Sequence, residues 1–327
     1  MSSTNPSGEI RSFLRRHFRH FNAAELVESA EGYSALIDRG GSMLITLAGA
    51  LSTAEIGIGL AEMIRRRKVH AICCTGANLE EDVFNLFSHE KYLRVPRYRE
   101  LSSADERLLL EQGLNRVTDT CIPEDGIRQV ERWLAEQWHA ASIDGTRALP
   151  HEYFYQLVLN SDMRPNFQID PRDSWVYAAA EARLPMFVPG WEDSTLGNVF
   201  ASHVINGTIP GGAVIRSGLE YLSELVAWYC RHSCEVEIGL FQIGGGIAGD
   251  FATSVVPLIR QDMGQTVPLW SYYCQVGDST TSYGSYSGAV PNEKISWGKL
   301  GPDTPRFMIE SDATIVMPLV FACVLGY

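Results

Sequence analysis

Val236-Glu237-Ile238-Gly239-Leu240-Phe241-Gln242-Ile243-Gly244-Gly245-Gly246 is the stretch whose reading decides the fold. A short run rich in Ile, Leu and Phe ends on three glycines, and a helical pattern follows through residue 260. A strand buried on both faces reads as such an apolar run, and a glycine turn at its carboxyl end leads the chain into a helix. The same order recurs on either side. Residues 43–47 lead through Ala48-Gly49-Ala50 into a predicted helix over 52–67, and residues 69–74 lead through Thr75-Gly76-Ala77-Asn78 into a helix opening on Glu80-Glu81-Asp82. Residues 185–188 precede Gly190 to Thr195. Residues 267–276 run into a long polar loop, and residues 306–309 precede Glu310-Ser311-Asp312 and an apolar helix to Val324. Strand, small-residue loop and helix in repetition predict an α/β fold, doubly wound, with a mostly parallel sheet and helices on both faces.

Towards the amino terminus, residues 1–8 read as frayed. Residues 10–21 are basic and amphipathic, with Ile10, Phe13, Leu14, Phe18 and Phe21 three or four apart. Residues 23–36 read as a helix closed by Gly40-Gly41. We expect residues 1–42 to form a helical segment packed on one domain spanning 1–327, or on another subunit, in preference to a membrane. Residues 90–180 read as helical and polar with loops, covering one side. The chain has 27 basic and 39 acidic residues, a net charge of −12. That balance disfavours nucleic-acid and anionic-membrane surfaces and suits cationic ligands. There are seven cysteines but no Cys-x-x-Cys pair and no histidine cluster, so no metal is expected. No apolar signal core or run of transmembrane length occurs, and the chain reads as a reduced, cytosolic protein.

The long loop, Asp278 to Leu300 (DSTTSYGSYSGAVPNEKISWGKL), has neither strand nor helix periodicity. Long loops of this kind are usually functional or disordered, and Tyr283, Tyr286 and Trp297 argue against disorder. Only four of the 27 basic residues are lysines: Lys68, Lys91, Lys294 and Lys299. Lysine, unlike arginine, becomes a nucleophile when desolvation strips its proton. Lys299, between Gly298 and Leu300 and behind Trp297, is the candidate for that role. Lys294, beside Glu293, reads as a solvated partner. At the carboxyl ends of the strands, where doubly wound sheets bind ligands, stand Gly244-Gly245-Gly246, Ser52, Thr75, Gly76 and Ala77. Glu80, Glu81, Asp193 and Asp312 stand there as acceptors for ribose hydroxyls, or as ordinary helix caps and first-turn carboxylates. No strict G-x-G-x-x-G follows a strand.

Taken together these motifs resemble the deoxyhypusine synthase family, over residues 43–324. The most specific match is Pro291-Asn292-Glu293-Lys294-Ile295-Ser296-Trp297-Gly298-Lys299, where the family carries its Ser-Trp-Gly-Lys lysine. Thr75-Gly76, Leu79-Glu80-Glu81-Asp82, Glu192-Asp193-Ser194-Thr195-Leu196-Gly197, the glycine triplet and Ser311-Asp312-Ala313 support it. The resemblance implies that NAD takes a hydride from spermidine, that Lys299 captures the resulting imine as 1,3-diaminopropane leaves, and that an acceptor amine then takes the four-carbon unit. It puts Ser52, Thr75, Gly76, Ala77, Glu80, Glu81, Asp193, Gly244, Gly245, Gly246, Ser287 and Asp312 on cofactor positions. The polyamine groove falls on Thr195, Asn198, Asp250, Tyr286, Glu293 and Trp297. The resemblance also implies a homotetramer with sites between subunits.

Three positions depart from the family pattern. Asp250 stands where the family has His, and Asn198 and Tyr286 each stand where it has Asp. The groove is thereby rebuilt, which leans the acceptor towards a small amine such as putrescine, giving homospermidine, over a protein lysine, giving deoxyhypusine. Two other classes compete: a catalytically silent NAD-binding protein, which would form no lysine adduct, and an NAD-consuming deacylase, which would release nicotinamide.

Overall fold

The computed structural model describes residues 8–327. The expectation of a frayed start therefore lies outside the described residues, apart from Gly8, whose carbonyl accepts the Ser12 amide. The strands, in chain order, are β1 (Ser42–Leu47), β2 (Ala71–Cys74), β3 (Leu93–Arg94), β4 (Leu114–Val117), β5 (Thr120–Pro123), β6 (Met186–Phe187), β7 (Ile238–Ile243), β8 (Tyr272–Gly277) and β9 (Arg306–Glu310). Six of them form one sheet in the order β6-β2-β1-β7-β8-β9. Every pairing in that sheet is parallel. The expected doubly wound α/β architecture is what the chain adopts. Strands β1, β2 and β7 are buried along their whole length, as apolar runs with helices on both faces require.

The chain moves outward from β1 through β2 to β6, then returns to lay β7 on the other side of β1 and moves outward again. The order reverses between β1 and β7, so the loops that leave these two strands diverge and open a crevice at their carboxyl ends. Gly244-Gly245-Gly246 and Ala48-Gly49 flank that crevice. The connection from β8 to β9 is the long polar loop. It crosses over without a full helix, holding only a 3₁₀ turn at Tyr286–Gly288 and one helical turn at Glu293–Ser296.

Three expectations need correction. Residues 90–180 carry a second sheet, antiparallel, in the order β3-β5-β4. Its strands, two to four residues long, are too short to establish a period of two. The helix after β1 starts at Gly57, not at residue 52. Ser52 is held in a turn because its amide donates to Asn78 Oδ1 (3.1 Å) and its hydroxyl to the Asn78 carbonyl (2.7 Å). The helix after the glycine triplet is Gly246–Thr253, followed by Val255–Pro257 and a π-helical turn at Leu258–Asp262. Pro257 supplies no amide for a regular ladder there.

The amino-terminal helices Glu9–His17 and Phe21–Asp38 lie on the final helix, Ala313–Leu325, and on β9. Leu14 is fully buried in this packing, whereas Phe13 and Phe21 face outward. Tyr33 and Tyr272 anchor the second of these helices, the Tyr33 hydroxyl donating to the Lys68 carbonyl (2.6 Å) and the Tyr272 hydroxyl to the Ser29 carbonyl (2.8 Å). No described helix is long and apolar enough to cross a membrane.

Behind β6 the helix Thr195–Ile205 starts where Ser194 Oγ accepts the Gly197 amide (3.1 Å). A Cβ on Gly197 would lie 2.3 Å from the Trp191 carbonyl oxygen and 3.0 Å from Glu192 Cα, both backbone atoms that no rotamer change can move. Gly197→Ala is therefore expected to cost about 1–3 kcal/mol, read as a lower urea midpoint at unchanged m-value. An unchanged midpoint would contradict this packing.

Candidate active site

A row of buried polar side chains crosses the carboxyl half of the sheet. The register sets Gln242 of β7 beside Gln275 of β8, and Tyr273, two residues before Gln275, shares its face. The Tyr273 hydroxyl lies 3.0 Å from Gln242 Oε1 and 2.9 Å from Gln275 Oε1. Gln275 Nε2 donates to the Ser287 carbonyl (2.9 Å), and Gln242 Nε2 donates to the Gly244 carbonyl (2.9 Å). These two amides tie the long loop and the glycine turn to neighbouring strands. Tyr286, on the loop, donates to Gln242 Oε1 (3.3 Å) and pairs with Thr253 Oγ1 (2.9 Å). Thr253 in turn accepts from Lys299 Nζ (3.2 Å), whose other partner is Asp250 Oδ1 (3.0 Å). Burial pushes the Tyr286 phenol well above its ordinary range, so it stays a neutral donor.

These groups open into a pocket of about 750 Å³, and five of the residues expected at the active site line it: Asp250, Tyr286, Glu293, Trp297 and Lys299. Lys299 is 6% exposed, as its expected role demands, and Trp297 is 66% exposed at the pocket wall. Lys294 also lines the pocket and is 2% exposed, which overturns its reading as a solvated partner of Glu293. The cause is local. Gly298 adopts a left-handed φ of 69°, and the amides of Lys299 (2.9 Å) and Leu300 (3.3 Å) turn back onto the Lys294 carbonyl. That turn carries both lysines to Tyr286, with Lys294 Nζ 4.2 Å and Lys299 Nζ 5.4 Å from its ring centroid.

Thr195, Asn198 and Asp193 are not in this pocket; they line a separate depression beside Arg128. The Asn198 amide donates to the carbonyls of Glu192 (3.2 Å) and Ser194 (2.7 Å), bracing the turn before its helix. The residues expected at cofactor positions lie beyond the carboxyl ends of the strands, on the loops and in the first two turns of the helices that follow. Thr75 caps the helix Gly76–Ser88, which takes in Gly76 and Ala77, and Asp312 caps the final helix. Helix Gly246–Thr253 differs in having no side-chain cap. Gly244 and Gly246 have φ of 76° and 60°, and beside Gly246 a Cβ would meet nothing within 4 Å. A Cβ on Gly245 would fall 1.8 Å from Ser287 Oγ, so the loop closes directly over the triplet. Free first-turn amides beside open space fit a dinucleotide phosphate.

Three consecutive carboxyls behind this crevice are buried. Glu80 accepts the amides of Thr195 and Leu196 through its two oxygens (2.8 Å each), capping a neighbouring helix. Glu81 accepts the Thr53 hydroxyl (2.7 Å). Asp82 accepts the Ser174 hydroxyl (2.5 Å) and the Val176 amide (3.0 Å). Sequence reading missed Thr253, Gln242, Gln275 and the burial of Lys294. The two glutamines had left a signal, each being a single polar residue inside an otherwise apolar strand.

Burial pushes Glu81 up to about 7 and Asp82 up to about 6. A carboxyl that binds its proton more tightly in the folded state stabilises the fold where it is protonated. That contribution is complete below about pH 4 and is lost as the pH rises through about 7 for Glu81. Glu81→Gln should therefore gain stability relative to wild type, by about 2–3 kcal/mol, as unfolding is measured from acid to mildly alkaline pH. Parallel pH profiles would contradict the buried, neutral-leaning carboxyl.

The model of the family described as deoxyhypusine synthase matches residues 15–324. A Methanosarcina mazei protein named "Probable deoxyhypusine synthase 2" is 26% identical over 301 residues, 92% of this chain and 81% of the relative. A deoxyhypusine synthase-like protein of Elusimicrobium minutum is 24% identical over 305 residues, 92% of this chain and 76% of the relative. The crystal structure of a "putative deoxyhypusine synthase" from Entamoeba histolytica shares the fold, with a TM-score of 0.59 at 11% identity over 98% of this chain and 95% of that one. With the matched region spanning the sheet, the crevice and the lysine pocket, the chain belongs to the deoxyhypusine synthase family, a family of transferases.

Proposed function

We propose that this protein transfers a 4-aminobutyl group from spermidine, or a related polyamine, to an acceptor amine, with Lys299 holding the four-carbon unit as an imine between donor and acceptor. The observation that carries this reading is Lys299 itself: a buried lysine on the family's Ser-Trp-Gly-Lys motif, facing a largely apolar pocket large enough for an extended polyamine. NAD, when bound at the uncapped helix Gly246–Thr253, supplies the site where a hydride is stored and from which it is returned. Every other role falls to side chains of this chain. Trp297 offers an exposed aromatic face to an alkyl chain or ammonium, and Glu293 offers a carboxylate at the wall. Asp250 and Thr253 fix the direction of Lys299 Nζ. The apolar surround removes water that would hydrolyse the imine.

The acceptor is a small amine such as putrescine, in preference to a protein lysine. Supporting this, Asp250 is engaged by Lys299, Tyr286 lies against two lysines and the Asn198 amide is engaged by its own turn. The rebuilt groove thus leaves the Glu293 carboxylate on the pocket wall as a partner for one ammonium of a small diamine. The site is completed between subunits of a homotetramer, a reading supported by the separation of Thr195, Asn198 and Asp193 from the lysine pocket within one chain. The exposed Ile247 at the pocket mouth supports it too. The protein works in the cytosol, where NAD and polyamines meet.

Amine product analysis tests this. Purified protein with NAD and carbon-labelled spermidine is expected to form labelled homospermidine when putrescine is added, and none in a Lys299→Ala control. Release of 1,3-diaminopropane without homospermidine would retain the chemistry and move the acceptor to a protein lysine or another amine. Absence of spermidine consumption would contradict the proposal.

A further inference from the structure

We propose that Lys294 is a second functional amine of the pocket, standing unpaired beside the Lys299–Asp250 ion pair to take up the proton that Lys299 must release before it acts as a nucleophile. This rests on the transfer reading for its role and on the burial and surroundings of Lys294 for its charge state. The two lysines share one buried wall but not one environment. Lys299 donates to a carboxylate and a hydroxyl. Lys294, among the described residues, has no ion pair; its ammonium faces the Tyr286 ring at 4.2 Å. A ring face holds an ammonium by roughly 0.5–2 kcal/mol, less than a desolvated carboxylate holds its partner.

The charged and titratable groups around Lys294 act in a definite order. Burial disfavours its ammonium most, then the charge of Lys299; the adjoining Glu293 and Asp250 across the pocket oppose them, and the balance brings Lys294 down to about 8. Asp262, also on the pocket wall, and the neutral Tyr286 phenol complete the surroundings. A lysine held out of water without a carboxylate partner gives up its proton more readily than a solvated one. The neutral form of Lys294, the form able to take up a proton, therefore becomes populated as the pH rises towards about 8.

The step balances without an outside reagent. A proton passes from Lys299 Nζ to Lys294 Nζ, turning one ammonium into an amine and the reverse. The freed Lys299 lone pair forms a bond to the protonated imine carbon of the substrate. A proton moves from the Lys299 nitrogen to the departing nitrogen, the bond between that nitrogen and the carbon breaks, and Lys299 is left as the new protonated imine. Lys294 then gives its proton to the departing amine, which leaves as an ammonium. Asp250 keeps its charge throughout.

Two measurements test this. First, the whole protein labelled with carbon-13 at lysine Cε gives only four lysine signals, one each from Lys68, Lys91, Lys294 and Lys299. The signal lost in Lys294→Met and in Lys294→Arg should titrate near pH 8 in wild type; titration together with Lys68 and Lys91 would overturn the proposal. Second, with NAD and spermidine, release of 1,3-diaminopropane at neutral pH should fall roughly a hundredfold in both variants and recover as the pH is raised. Arginine keeps the charge but cannot take up a proton, so a wild-type pH profile in Lys294→Arg would overturn the role. If wild type releases no diaminopropane, the transfer reading fails by itself, and the lysine titration still decides the charge state of Lys294.

Discussion

The Lys299–Asp250 ion pair, half sunk in an apolar pocket, is the interaction on which the rest of the site depends. A lysine taken out of water needs a compensating partner or must lose its proton. Here the partner is reached through a defined chain of contacts. Asp250 and Thr253 come from the helix behind the glycine triplet, and Lys299 comes from the far end of the crossover between β8 and β9. Tyr286, from the same crossover, links Thr253 to Gln242 on β7. Gln275 on β8 holds the loop through the Ser287 carbonyl. Each member is satisfied by the next, and a buried polar network specifies one arrangement only when satisfied in this way. The sheet thus acts as a rigid plate from which an otherwise irregular loop takes its shape.

The parallel sheet was legible in the sequence because its strands are buried on both faces and end on small residues; residues 43–47 and 238–243 need no partner to be read. The antiparallel strands between Leu93 and Pro123 were not legible, since pairs and quartets of residues carry no period. The late start of the helix at Gly57 depends on Asn78, a contact across 26 residues that local spacing cannot express. Lys299 was singled out by the scarcity of lysine and by its motif, and its burial follows that reading. Lys294 had the same compositional signal, but the charged neighbour Glu293 pointed to water, and only the backbone reversal at Gly298 turns the side chain inward. Gln242 and Gln275 were visible as polar interruptions, yet their purpose depends on a loop that returns to them from residues 286 and 287.

Electrostatics separates two regions of the same crevice. Around the lysines, two cations and the carboxylates of Asp250, Asp262 and Glu293 line one largely apolar pocket. Behind the strand ends, Glu80, Glu81 and Asp82 are buried on hydrogen-bond donors alone, and burial raises the proton affinity of all three. Glu80 shows why an acidic residue at a loop end is ambiguous in sequence: both of its oxygens cap the helix that carries Thr195 and Asn198. Its carboxylate couples the β2 loop to the β6 loop, so the two sides of the crevice are braced before any ligand arrives.

The most direct measurement is the location of a trapped adduct. The protein would be incubated with NAD and spermidine, reduced with borohydride, digested and mapped by mass spectrometry. An aminobutyl adduct on Lys299, with Lys294 unmodified, is the predicted result. An adduct on Lys294 instead, or none on either lysine while spermidine is consumed, would contradict the assignment of Lys299 as the residue that carries the four-carbon unit.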